Sequence, residues 1–319
     1  MGSDRPFWCL APFFFALAFP AGADPTPEPA TPAPLAGSVL LLDAATVGDG
    51  VVAVGSYGHI LRIHGLGWVQ SPSPVRFQLT AVDFVDDQIG WAVGHDAAII
   101  RTDDAGASWR LQHFAPELEQ PLFDVLFADP DTGFAVGAYG LMLRTDDGGE
   151  SWEEVEYADY PDSHLNALAL LADGTLLVLG ERGIAYRSVD TGESWEQLEF
   201  PYEGSTFGAV VAADGVRVVT FGLRGRVFTS DDAGDTWTRV PTGTELSLMG
   251  GTVTADGRIV LVGMNGLVLV SSDGGESFER FRHPDGDALA AVFEVPGYAL
   301  AVAGESGLAP LDFNTATAQ

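Results

Sequence analysis

From residue 50 onward the chain repeats one pattern of apolar and polar positions. An apolar run ends in Gly, two variable residues follow, then usually another Gly, then a second, alternating run. VVAVGSYGHILR, GWAVGHDAAIIR, GFAVGAYGLMLR, LLVLGERGIAYR, VVTFGLRGRVFT, IVLVGMNGLVLV and LAVAGESGLAPL are versions of this unit. The anchoring glycines are Gly55, Gly94, Gly137, Gly180, Gly222, Gly263 and Gly304, spaced 39, 43, 43, 42, 41 and 41 residues apart. The second Gly is Gly58, Gly140, Gly183, Gly225, Gly266 or Gly307, with Ala97 in its place in the second unit. A fixed period of this length marks an array of supersecondary units. The runs are too short for helices and no amphipathic helical period interrupts them, so they read as strands. In the second unit these fall at 79–86, 90–94, 97–102 and 109–112. Four antiparallel strands per unit predict an all-β fold, a seven-bladed β-propeller of four-stranded blades. Length alone would suggest about two domains; the repeat replaces them with one, over residues 38–313. The seventh unit runs out near Phe313 without a recognisable fourth strand, leaving 314–319 as a C-terminal tail.

Five units carry a second motif: TDDAGASW (102–109), TDDGGESW (145–152), SVDTGESW (188–195), SDDAGDTW (230–237) and SSDGGESF (271–278). All fit S/T-x-D-x-G-x-S/T-aromatic, the Asp-box or BNR pattern. An Asp side chain here accepts bonds from backbone N–H groups two or three residues on. The following Gly permits positive φ, and the aromatic begins the next strand. Asp104, Asp147, Asp190, Asp232 and Asp273 are therefore expected to be structural turn staples. Calcium wants six to eight oxygens, more than each loop supplies.

Ahead of the repeat, residues 7–19 form an apolar run too short to span a bilayer as a helix. Ala21-Gly22-Ala23 then offers a signal-peptidase site, so 1–23 reads as a signal peptide and the mature chain as exported, periplasmic or secreted. The one cysteine, Cys9, falls inside that signal. The mature chain would then have no disulfide, thiol chemistry or Cys-ligated metal. Residues 24–37 hold five prolines by position 34, a composition that favours an extended tether.

Formal net charge is −30, and all 15 basic residues are Arg. Such acidity opposes binding to nucleic acid or anionic lipid. The six histidines show no metal-ligand spacing. No metal and no cofactor is expected.

The pairing of DFVDDQIGWAVG (83–94) with IIRTDDAGASW (99–109), and of LFADPDTGFAVG (126–137) with LRTDDGGESW (143–152), resembles the photosystem II stability/assembly factor family. The resemblance covers about residues 38–313. It implies a seven-bladed, Asp-box-bearing propeller exported to the lumenal or periplasmic side. Photosynthetic members are helper proteins that bind a newly made reaction-centre subunit, partly through an arginine-rich surface. Similar proteins in bacteria without a photosystem imply an envelope role beside an RND-type exporter. This chain departs from the photosynthetic members in its few Arg, absent Lys and strong negative charge.

A propeller places its Gly-x-x-Gly turns on one face and its Asp boxes on the other. The turn tips therefore form a ring of variable residues on a fixed backbone, the usual arrangement for binding residues on a rigid scaffold. Tyr57, Asp96, Tyr139, Arg182, Arg224, Asn265 and Ser306 occupy the ring, with His95 and Glu181 beside them. Arg182, Arg224 and Arg226 make the nearest approach to a basic cluster. Candidate partner-binding residues are Tyr57, His95, Asp96, Tyr139, Arg182, Arg224, Arg226 and Asn265, the partner being a membrane-protein subunit or exporter component. Arg62, Arg101, Arg144 and Arg187, seven residues after the anchor Gly, are expected to pair with nearby carboxylates. The favoured function is a non-catalytic binding or assembly propeller. The alternatives are an exporter accessory, a sialidase-like hydrolase and a glycan-binding propeller. A sialidase needs three converging arginines, a Tyr nucleophile with a Glu partner and an acid Asp; the R-I-P segment common in that family is missing.

Overall fold

The computed structural model describes residues 26–65, 67–157, 162–297, 299–313 and 317–318, the last two by backbone only. The expected signal peptide, with Cys9, lies outside them. Six blades each contain four consecutive antiparallel strands, and the seventh contains three. In blade two the strands are Leu79–Phe84, Gly90–Gly94, Ile99–Thr102 and Arg110–His113. The first strands of adjacent blades pack against one another round the whole ring, blade seven against blade one included. Second strands are sandwiched between neighbouring blades; Gly90–Gly94, Gly133–Gly137, Leu176–Gly180, Val218–Gly222 and Ile259–Gly263 are buried at every residue. Burial on both faces is why they read as unbroken apolar runs.

Blade seven consists of Leu289–Glu294, Leu300–Gly304 and Gly307–Pro310. No fourth strand follows among the described residues. The chain instead crosses to blade six, where Thr317–Ala318 pairs with the outer strand Glu279–Arg282. Ring closure comes from packing. Leu41, Val51, Ala53 and Leu61 of blade one share a core cluster with Ala291, Phe293 and Ala303 of blade seven. The Pro-rich stretch, expected to be a spacer, is held against blade one. Ala30 N donates to Ser73 O at 3.0 Å, Ala33 N to Gln70 Oε1 at 2.8 Å, and Gln70 Nε2 to Thr31 O at 3.3 Å. Proline blocks sheet pairing but leaves carbonyls and the intervening N–H groups free for such bonds. The stretch ends in a 3-10 turn, Ala36–Ser38, against the third strand of blade seven.

On the Asp-box face each of the five boxes closes the same way. Thr102 Oγ1 donates to Asp104 Oδ1 at 2.9 Å, Ser108 N to the same oxygen at 2.8 Å, and Ser108 Oγ to Asp104 Oδ2 at 2.6 Å. Asp147, Asp190, Asp232 and Asp273 repeat these bonds. The main backbone donor lies four residues on, further than an ordinary Asx turn. Two successive positive-φ residues, such as Ala105 and Gly106, lengthen the loop.

Arginines then latch one blade to the next box. Arg101 reaches Gly148 O at 2.6 Å, Arg144 reaches Glu193 at 2.6 Å, and Arg187 reaches Asp235 at 2.8 Å. Arg62 departs from the expectation. It meets no carboxylate among the described residues, and its Nε is buried without a partner. Where blade five has Thr229 at the latch position, Arg217 substitutes, pairing with Asp231 at 2.6 Å and Glu276 at 3.4 Å. Its acidic partners are largely exposed, so Arg217→Ala should lower stability by only about 1 kcal/mol. The loss, read as a thermal midpoint, should shrink in high salt.

Candidate functional site

Strands alternate in direction, so the turns between second and third strands share a face with the linkers between blades. Each turn is bolted to the linker entering its own blade. Ser56 N donates to Leu40 O at 2.9 Å, His95 N to Gln78 O at 3.1 Å, Ala138 N to Pro121 O at 2.9 Å and Leu223 N to Ser205 O at 3.0 Å. Glu181, Met264 and Glu305 make the same bond to His164, Ser247 and Ala288. The anchor Gly is required by this close approach. A Cβ at Gly55, Gly94 or Gly137 would collide with the linker carbonyl.

The tips adopt an unusual backbone. Tyr57, Asp96, Tyr139, Arg182, Arg224 and Asn265 all have φ between 53° and 61°. With the following positive-φ residue they form tight turns of the I′ kind, where Asn, Asp and Gly are the inexpensive choices. Asp96 and Asn265 fit that preference. Tyr57, Tyr139, Arg182 and Arg224 do not, and each carries about 1–2 kcal/mol of left-handed strain. Tyr57 is 65% exposed and Tyr139 55%, so burial of their rings does not offset it. Strain of this kind concentrates at ligand-contacting sites.

The face brings most of the expected residues into view. Tyr139 N donates to His164 Nδ1 at 3.1 Å, and its ring stands edge-on to His164 at 5.0 Å. His164 in turn meets Phe123 at 5.5 Å, at the mouth of the central channel. Arg182 is exposed and reaches Asp162 O at 3.3 Å. Arg224 is exposed, and Arg226 is half-buried at the start of the next strand. Among the described residues none of these three arginines meets a carboxylate. His95, Asn265 and Ser306 are exposed. Asp96 is half-buried, because the linker beyond blade two covers its turn; Ala115 N donates to Asp96 O at 3.0 Å. Sequence reasoning missed Met249, Met264 and Leu118, large exposed apolar residues on the same face. Met264 and Leu118 were signalled only as apolar residues at a turn and a linker position, and Met249 as an apolar residue near the start of an innermost strand.

A cavity of about 220 Å³ lies on the channel axis. Its wall includes Asp43, Thr80, Asp124, Asn166, Phe207 and Met249, with no arginine or glutamate among the described lining residues. The three converging arginines that a sialidase requires are not assembled there. Among the described residues no group of three or more His, Cys, Asp and Glu is arranged to hold a metal ion. No helix among them is long and apolar enough to cross a membrane.

Residues 112–258, the end of blade two through the middle of blade six, match the family model of the photosynthesis system II assembly factor YCF48. No curated protein matches the chain by sequence. YCF48 from Cyanidioschyzon merolae superposes with a TM-score of 0.67 at 16% identity, covering 87% of this chain and 96% of that one. A structure of YCF48 bound to D1 peptide gives 0.67 at 17% identity, covering 89% and 98%. A GH74 enzyme of Niastella koreensis gives 0.69 at 15% identity, covering 85% of this chain and 52% of that one. At these identities the superpositions establish the fold. The chain is thus a seven-bladed Asp-box propeller whose middle blades are similar in sequence to the photosystem II assembly factor family.

Proposed function

We propose that this chain is an exported, non-catalytic propeller that binds an extended segment of a partner protein across its turn face. The observation carrying the proposal is the set of tips. Two tyrosines and two arginines are held exposed in a backbone conformation that smaller residues adopt more cheaply. Tyr and Arg are the side chains that most often anchor protein interfaces. Met249 and Met264 add apolar surface that adapts to irregular partners. The structure of YCF48 bound to D1 peptide supports a protein client for this architecture. The client here is a membrane-protein subunit or an exporter component. Its contact segment should carry acidic or carboxy-terminal charge opposite Arg182 and Arg224, with apolar residues opposite Tyr57 and Tyr139.

Photocrosslinking amino acids at Tyr57 and Tyr139, with Val216 on the opposite face as control, test this reading in native envelope. The expected result is one protein crosslinked from both tyrosine positions and absent from Val216. Equal labelling from both faces would remove the assignment. Turnover of a fluorogenic glycoside by the purified chain would instead favour a hydrolase.

A further inference from the structure

Three carboxylates on innermost strands each cross to the next blade, and two of them, Asp43 and Asp124, line the central channel. Asp43 of blade one accepts from Val82 N of blade two at 2.9 Å. Asp83 of blade two accepts from Phe127 N of blade three at 2.8 Å. Asp124 of blade three accepts from Leu168 N of blade four at 2.7 Å, and from its own neighbour Val125 N at 2.8 Å. Blades do not share a sheet, so these bonds join innermost strands that otherwise only pack. Thr80 and Asn166 extend the series with neutral bonds to Leu122 O and Thr206 O. Across the channel the wall is Phe207, Gly208, Met249, Gly250 and Ala290.

We propose that Asp43, Asp83 and Asp124 act as one proton-held clasp across blades one to four, tight while the channel retains a proton and loosened by mutual repulsion when all three are ionised. The groups facing Asp43 and Asp124 in the channel are Thr80, Asn166, Thr252 and apolar or glycine residues; no described lining residue is a cation. Full ionisation therefore puts two negative charges in the channel and a third, on Asp83, close enough to repel both, with no cation in the channel lining, which is costly away from bulk water. By accessible area the three are half-buried, because the channel admits water, yet protein surrounds them on every side. Desolvation accordingly pushes Asp43 and Asp83 up to about 6 and Asp124 up to about 8. Backbone N–H bonds oppose the rise, and repulsion from the neighbouring aspartates adds to it at Asp43 and Asp124. Raised values mean that the folded state holds these protons more tightly than the unfolded chain. Their stabilising contribution is complete below about pH 4 and is lost as pH rises through 6 to 8.

Carboxyl-carbon NMR of the whole chain tests the clasp. Three aspartate side chains should titrate well above the ordinary carboxylate range. Asp43→Asn should move the Asp124 midpoint downward and flatten the dependence of the thermal midpoint on pH between about 4 and 8. The comparison belongs at about 0.5 M salt, where surface charges are screened. Titration of all three in the ordinary range, or an Asp124 midpoint unmoved by Asp43→Asn, overturns the proposal. Should the variant not fold, amide exchange of the unaltered chain decides. Val82, Phe127 and Leu168 should exchange more steeply with pH than hydroxide catalysis alone requires; simple proportionality to hydroxide overturns it.

Discussion

Gly58→Ala will unfold the propeller or destabilise it by more than about 3 kcal/mol, with the loss read from the urea midpoint. Gly58 has a φ of +67°, and a Cβ there would run into the Val75 carbonyl, with the Arg76 backbone beside it. Both obstacles are main chain, so no side-chain rotation relieves them. Val75 and Ser73 are buried and tied to the linker between blades one and two, which cannot retreat without breaking Ala30 N to Ser73 O. Gly174→Ala is the control. Its φ is +89°, but nothing lies within 4 Å of the added Cβ, so only backbone strain of about 1 kcal/mol remains. If the two variants unfold at similar urea concentrations, the bolting of turn to linker does not hold the turn face rigid.

The second large effect is a stability maximum in mildly acidic solution, near pH 4 to 5, rather than at neutrality. Two sets of aspartates pull in opposite directions. In the boxes, bonds from the hydroxyls of Ser151, Ser194 and Ser277 come first among the causes that hold Asp147, Asp190 and Asp273 down at about 2. These depressed groups stabilise the fold above the unfolded value of about 4 and lose that contribution as pH falls toward 2. The channel aspartates do the reverse between about pH 4 and 8. Neutralising part of a net charge of −30 reinforces the channel term, because self-repulsion in the compact state falls with pH. Thermal midpoints recorded from pH 2.5 to 9 should therefore rise on acidification, peak, and collapse below about pH 3. A steady decline from pH 8 to pH 4 would contradict the balance drawn between channel and boxes.

The repeat was legible because its residues answer a constraint that recurs in every blade. Gly55 and its equivalents exist for a backbone approach made seven times, and Asp104 and its equivalents for a loop made five times. Residues that break the repeat were harder to read. Asp43 and Asp124 occupy equivalent positions in alternating strands, where a lone carboxylate looks like a solvated surface residue; only the closed ring turns that surface inward. Arg217 gave no sign of replacing a latch, because it enters from a different strand. Prolines at 27, 29, 32 and 34 leave the described stretch outside any sheet, but they do not prevent docking through side chains and isolated amides. On the turn face, Tyr57, Tyr139, Arg182 and Arg224 were identifiable as turn tips. That they sit in left-handed backbone was not, since that backbone favours Asn, Asp and Gly.

Whether the turn face is the working surface can be measured directly. Tagged wild-type chain, the double variant Arg182→Glu/Arg224→Glu, and Val189→Glu on the box face would be compared for recovery of the crosslinked partner from native envelope. Val189 is 73% exposed, so its substitution changes surface without disturbing the core. A binding turn face predicts that the double variant loses the partner while Val189→Glu retains it, with both variants as stable as the parent. Undiminished recovery by the double variant, or a loss confined to Val189→Glu, would contradict it.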